Sequence, residues 1–337
     1  MKNVGKLIFL SLALLQFSAH SASAQKLTKL TAGYASLSSS HLPMWMAKET
    51  GIFSKNGLDV QMVFLSGTAA IMALIAGESP ISQTAGIGIV NSGLGGSDAA
   101  LVAGGTVSLD WWLMSRPEIK TPAQLKGGSV AISTFGTASD FVARFALRRI
   151  GLDPEKDVTL VPAGNPVMRQ AAMDTGKVLA TVHVHPSTFA AQKKGFNVLA
   201  DVAALGLAYQ HTGVATTRKF IKEHPDIVRA YVKSQVEAVH RLKTDRETGI
   251  KVLSKYMGGI KDREILDKSY ELATAENMLP RKQYPTLEGI KTILDTLAEK
   301  DPRARKAKPE DFVDVRFIRE LDEKGFIDGL YSAKGAY

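Results

Sequence analysis

Three clusters of small polar residues in this chain could hold a ligand through backbone amides: Ser36–Ser40, Ser66-Gly67-Thr68 and Gly136-Thr137-Ala138-Ser139. Each stands where a strand period gives way to a helix period, so it opens a helix whose first N–H groups have no intrahelical acceptor. Such amides, with the helix dipole behind them, favour an anionic or strongly polar group by roughly 0.3–1 kcal/mol per exposed helix end. Ser and Thr cap ordinary helices too, so capping explains any one junction. All three facing one cleft would make a binding site. The contacts expected from them are Ser36, Ser38, Ser66, Gly67, Thr68, Gly136, Thr137 and Ala138, with Gly86 from the run Gly86-Ile87-Gly88 as a further one.

Ring-bearing residues add to this set. His183 and His185 fall on one face of an alternating strand, as ligand donors or as packed residues. No third Asp, Glu or His stands near them to complete a metal site, and no metal or cofactor is expected. Tyr209 and His211 lie near an expected crossover between lobes, and Tyr34 ends the first strand. One of Trp111 and Trp112 should point away from any core, which makes that pair the better stacking candidate, with Trp111 as the expected contact. Trp45 sits on an apolar helical stripe and is expected in the core. Arg144 could reach a carboxylate or lie on a solvated face. The sequence holds no G-x-S-x-G, no P-loop and no H-E-x-x-H, so binding rather than catalysis is expected.

The elements that must position these residues follow from periodicity. Leu30, Ala32 and Tyr34 alternate as a strand, and Leu42, Trp45 and Met46 share a helical face that Gly51 ends. Leu58 to Phe64 restores the period of two, Ala69 to Ala76 reads as a helix closed by Gly77, and Ile81 to Ala85 as a third strand. This βαβαβ order repeats from Val130 to Val184, with a helix ending at Arg148-Arg149 before Gly151. It implies two α/β lobes with largely parallel sheets. From Arg218 the pattern is almost wholly helical and is expected to return over the first lobe. Lobe 1 is expected at 25–112 and 213–337 and lobe 2 at 113–212, with crossovers near Leu113 and Gly213.

Composition narrows the setting. Residues 1–24 read as a cleavable export leader: Lys2 and Lys6, the apolar run Leu7 to Leu15, then Ala22-Ser23-Ala24. The run is shorter than the ~20 residues that span a bilayer. The chain has no cysteine, which excludes a disulfide framework, a thiol nucleophile and a lipidated N-terminus. A soluble, monomeric periplasmic protein is expected. The net charge is +9, but the basic residues are scattered apart from Arg303–Lys308, so nucleic acid is not an expected partner.

Pro43-Met44-Trp45-Met46-Ala47-Lys48-Glu49, followed by Gly51-Ile52-Phe53 and Gly57-Leu58-Asp59-Val60, resembles the nitrate/sulfonate/taurine-type solute-binding proteins, the NMT1-like or SsuA-like receptors. Gly136–Asp140, Gly151–Val158, Thr217–Ile221 and Gly325–Asp328 extend the likeness over nearly all of the chain after the leader. The resemblance implies a type II periplasmic-binding fold with the ligand clamped between two α/β lobes. It also implies an ABC importer, whose permease and ATPase complex accepts the closed, loaded receptor. The three helix-start junctions add the expectation of a small, anionic organic solute such as a sulfonate or carboxylate. Other readings are a solute-sensing subunit for a membrane receptor and a pyrimidine-precursor binding protein or synthase of the same fold. The synthase is disfavoured because it needs a cysteine-rich iron site.

Overall fold

The computed structural model describes residues 26–205 and 207–332; the expected leader lies outside them. The first lobe opens with β1 (Thr28–Tyr34), α1 (Leu42–Glu49), α2 (Ile52–Lys55), β2 (Leu58–Phe64), α3 (Ala69–Ala76), β3 (Ile81–Ala85), α4 (Gly86–Leu94) and β4 (Ala99–Ala103). The second runs through β5 (Trp111–Ser115), β6 (Ser129–Ile132), α5 (Ala138–Arg149), β7 (Thr159–Pro162), α6 (Pro166–Asp174), β8 (Ala180–Val184), α7 (Ser187–Lys193) and β9 (Asn197–Asp201). The chain then returns as β10 (Thr212–Thr217). It ends in α8 (Arg218–Glu223), α9 (Pro225–Thr244), α10 (Arg246–Tyr256), α11 (Arg263–Thr274), α12 (Leu287–Leu297), α13 (Arg316–Glu323) and α14 (Phe326–Ser332).

Two five-stranded sheets result, ordered β2-β1-β3-β10-β4 and β7-β6-β8-β5-β9. In each, one strand runs antiparallel to its neighbours: β10 between β3 and β4, and β5 between β8 and β9. These are the strands that come after the two crossovers, so the connections themselves enter the sheets. The fold is the α/β, type II periplasmic-binding architecture with two lobes. The boundary expected after Trp112 falls inside β5, because Trp111 and Trp112 already pair with Val184 and His183. The chain crosses between the sheets over 104–110 and 202–211.

The C-terminal helices cover the first sheet. Val228, Tyr231, Val232 and Val236 of α9 join Trp45 and Phe53 in one buried cluster. Trp45 is fully buried and stacks on Tyr256 at 4.8 Å, so it belongs to the core. Gly51, Gly77 and Gly151 all take positive φ, the backbone state that ends a helix most cheaply with glycine.

The lobes touch across the cleft. The Ser39 amide donates to the His185 carbonyl at 3.3 Å, and Asn91 Nδ2 to the Gly136 carbonyl at 3.1 Å. On one flank Lys193 of α7 bridges Asp262 and Glu264; on the other Lys300 reaches Glu155. The clamp is therefore shut in this structure.

Candidate functional site

A cavity lies between the two sheets, where the strands end and the helices begin. It leaves about 80 Å³ for the centres of water-sized spheres, about the space of six waters. Ser36, Ser40 and His41 enter from the turn before α1. Ser66, Gly67 and Thr68 enter from the start of α3, and Gly136, Thr137, Ala138 and Ser139 from the start of α5. Trp111, the first residue of β5, and His211, at the end of the second crossover, also line it. All three polar junctions meet here.

Their local chemistry leaves donors free. Thr68 and Thr137 stand at the N-caps of α3 and α5, and neither side chain makes a capping bond. Thr137 Oγ1 instead donates to the Thr134 carbonyl, and Asp140 Oδ2 accepts from the Gly136 amide. The first-turn amides of α5 are thus left for whatever fills the cavity. In α6 the opposite holds, since Asn165 Oδ1 accepts from the Met168 amide.

The decisive side chain is Arg169, on the second turn of α6. It is 2% exposed, lines the cavity, and donates to the carbonyls of Gly164 at 2.9 Å and Val182 at 3.1 Å. Among the described residues its Nε has no partner, and no carboxylate pairs with it. Burial brings its pKa down to about 10, so it stays charged at neutral pH. Among the described residues, none that lines the cavity is acidic. A lone buried cation beside unused helix-start amides is a place for an anion.

The histidines of the cavity are neutral. Burial takes His41 down to about 4, against the opposing bond to the Gln83 carbonyl. Burial, then the nearby His41, takes His211 to about 3. Trp111 Nε1 donates to His211 Nε2 at 3.2 Å, which places the His211 proton on Nδ1. That nitrogen faces Asp110 Oδ1 at 3.6 Å, too far for a hydrogen bond.

Ser36, Ser66, Gly67, Thr68, Trp111, Gly136, Thr137, Ala138 and His211 thus line the cavity, while six other expected contacts do not. Tyr34 packs against His41, Trp45 and Phe64. Ser38 is buried and bonded to Ser40 at 2.6 Å. Gly86 lies so near the return crossover that a Cβ would sit 2.4 Å from the Gln210 carbonyl oxygen, so its smallness serves packing. His183 is wholly buried and bonds Gln170 at 3.0 Å. His185 stands beyond the end of β8, bonds Thr188 and stacks on Phe189, so the two histidines do not act as a pair. Tyr209 is buried against Phe141 at 4.6 Å. Arg144 pairs with Asp140 and Glu155.

Gly67 sets how closely the lobes approach. Its φ is +64°, and a Cβ there would come within 2.9 Å of Thr134 Oγ1 on the other lobe. Gly67→Ala should weaken ligand binding about tenfold, the equivalent of ~1.4 kcal/mol. Titration calorimetry checks this, and unchanged affinity would mean that closure tolerates a wider gap.

A family model described as NMT1/THI5 like matches residues 38–245. Among curated proteins, none matches. Among solved structures, one from Bordetella bronchiseptica RB50 is similar at 20% identity and TM-score 0.75, over 89% of this chain and 98% of that one. The periplasmic aliphatic sulphonate binding protein SsuA from Escherichia coli is similar at 21% identity and TM-score 0.64, over 85% and 92%. The periplasmic nitrate-binding protein NrtA from Synechocystis PCC 6803 is similar at 16% identity and TM-score 0.73, over 89% and 90%. The match to the family model covers more than half of the sequence, and the chain belongs to the NMT1/THI5-like family.

Proposed function

We propose that this chain is the periplasmic substrate-binding component of an ABC importer, which captures a small anionic organic solute by hinge closure and delivers it to the permease. Arg169 carries the reading: a buried guanidinium without a carboxylate among the described residues, in a cavity that they line with no acid. A sulfonate or carboxylate head is of the size the cavity admits and supplies the missing negative charge. The sulphonate and nitrate named for SsuA and NrtA are both anions, which supports the same class here. Groups from both lobes line the cavity, so a bound anion favours the shut form over the open one by contacts it can make only there.

A thermal-shift screen against sulfonates, carboxylates, oxyanions and pyrimidines tests the proposal. A ligand present at about a hundred times its Kd should stabilise the fold by ~2.7 kcal/mol. The receptor reading fails if a hit is converted into product, and the anion reading fails if only neutral or cationic compounds stabilise the protein.

A further inference from the structure

Outside the inner cavity the lobes leave a second, wider space. It offers about 560 Å³ to the centres of water-sized spheres, against about 80 Å³ inside. Ile87 and Gly136 line both, so the two spaces adjoin at these residues. One wall is first-lobe, from Ile87 and Leu297; the other is second-lobe, from Phe135, Phe141 and Phe145.

Three phenylalanines line this vestibule among seven charged side chains. Phe135 lines this outer space beside Gly136 and is 54% exposed, an unusual position for so large an apolar ring. The Phe141 and Phe145 rings lie 6.1 Å apart and nearly parallel, at 7°. The charges around them are mostly engaged with one another: Arg144 with Asp140 and Glu155, Arg148 with Glu299, Lys300 with Glu155. Arg149 lies over the Phe145 ring, 5.7 Å from its centre. What the vestibule offers a guest is therefore ring faces and edges more than a second counter-charge.

We propose that the solute is an aryl or arylalkyl oxyanion, its charged head in the inner cavity and its ring in the vestibule against Phe135 and Phe145. This rests on the anion reading of the inner site. The inner cavity has room for a head group and little more, so the rest of a larger molecule must pass the Ile87–Gly136 boundary. Since the vestibule has a wall from each lobe, a ring there bridges them and adds to closure.

Calorimetric titration of benzenesulfonate and methanesulfonate into the wild type and Phe135→Ala tests the assignment. The aryl compound should bind about tenfold tighter than the methyl one. Phe135→Ala should weaken the aryl compound roughly three- to tenfold and leave methanesulfonate unchanged. Equal affinities for the two compounds in the wild type, or a variant that weakens both alike, would overturn the vestibule assignment and leave the anion site standing. If neither sulfonate nor the matching pair, benzoate and acetate, binds at all, the anion reading falls and the vestibule assignment falls with it.

Discussion

Arg169→Met is expected to cost the protein about a hundredfold in anion affinity while leaving it folded. The guanidinium is out of water, so its attraction for an anion is screened far less than that of a surface arginine. Two of its N–H groups serve the carbonyls of Gly164 and Val182, and those bonds aim it. Removing a charged hydrogen-bond donor from a buried site costs about 3 kcal/mol, roughly a hundredfold in Kd. Stability should change less, because two effects oppose. The variant relieves the penalty of burying an isolated charge, but it leaves two carbonyls without their donor. Arg169→Lys should fall between, since a single ammonium cannot reach both carbonyls with the guanidinium's fixed geometry. Calorimetry gives the affinities and a melting curve of the ligand-free protein gives the stability. Wild-type affinity in a folded Met variant would show that the buried charge does not anchor the ligand.

Arg169 is also the site residue least legible in the sequence. In the segment Pro166–Asp174 a helical wheel would put the apolar residues inside. The structure buries Pro166, Arg169 and Met173 instead, and exposes Val167 at 65% and Met168 at 56%. An arginine spaced four before a methionine, at the position where that face should be apolar, was the available signal. The three polar junctions were legible for a different reason. Ser, Gly and Thr between a strand period and a helix period have a local meaning that tertiary contacts cannot change much. His183 and His185 show the reverse case. Their spacing promised a shared face, but the strand ends at Val184, so the second imidazole is placed by the turn into α7 and not by the pleat. The alternation of Trp111 and Trp112 does hold: Trp111 lines the cavity, while Trp112 meets His185 and Phe189 on the other side. Which of the two faced the ligand depended on the sheet order, with β5 between β8 and β9, and no local pattern carries that.

Mild acid should destabilise the protein steeply. His41, His183, His185 and His211 are all buried, and burial holds them at about 4, 3, 4 and 3, against 6.5 when unfolded. The unfolded chain therefore takes up protons below pH 6.5 that the folded chain refuses. Each histidine contributes stability that is present above pH 6.5 and is lost as the pH falls. By pH 5 the loss is about 2 kcal/mol per residue, or ~8 kcal/mol for four. Asp110 works the other way. Burial lifts it from 3.8 to about 7, so the folded protein keeps a proton that the unfolded chain gives up. Between pH 7 and pH 5 it returns about 2 kcal/mol. The balance is a loss of about 6 kcal/mol, comparable with the whole stability of many proteins. The melting temperature should fall by about 10 °C or more between pH 7.5 and pH 5. A saturating anion should shrink that fall, because a negative charge beside His41 and His211 favours their protonated forms in the folded state. Melting curves across this range, with and without the tightest-binding anion of the screen, read both effects. A melting temperature that stays level down to pH 5 would mean that these imidazoles reach water. A fall that the anion leaves untouched would mean that the bound charge lies away from His41 and His211.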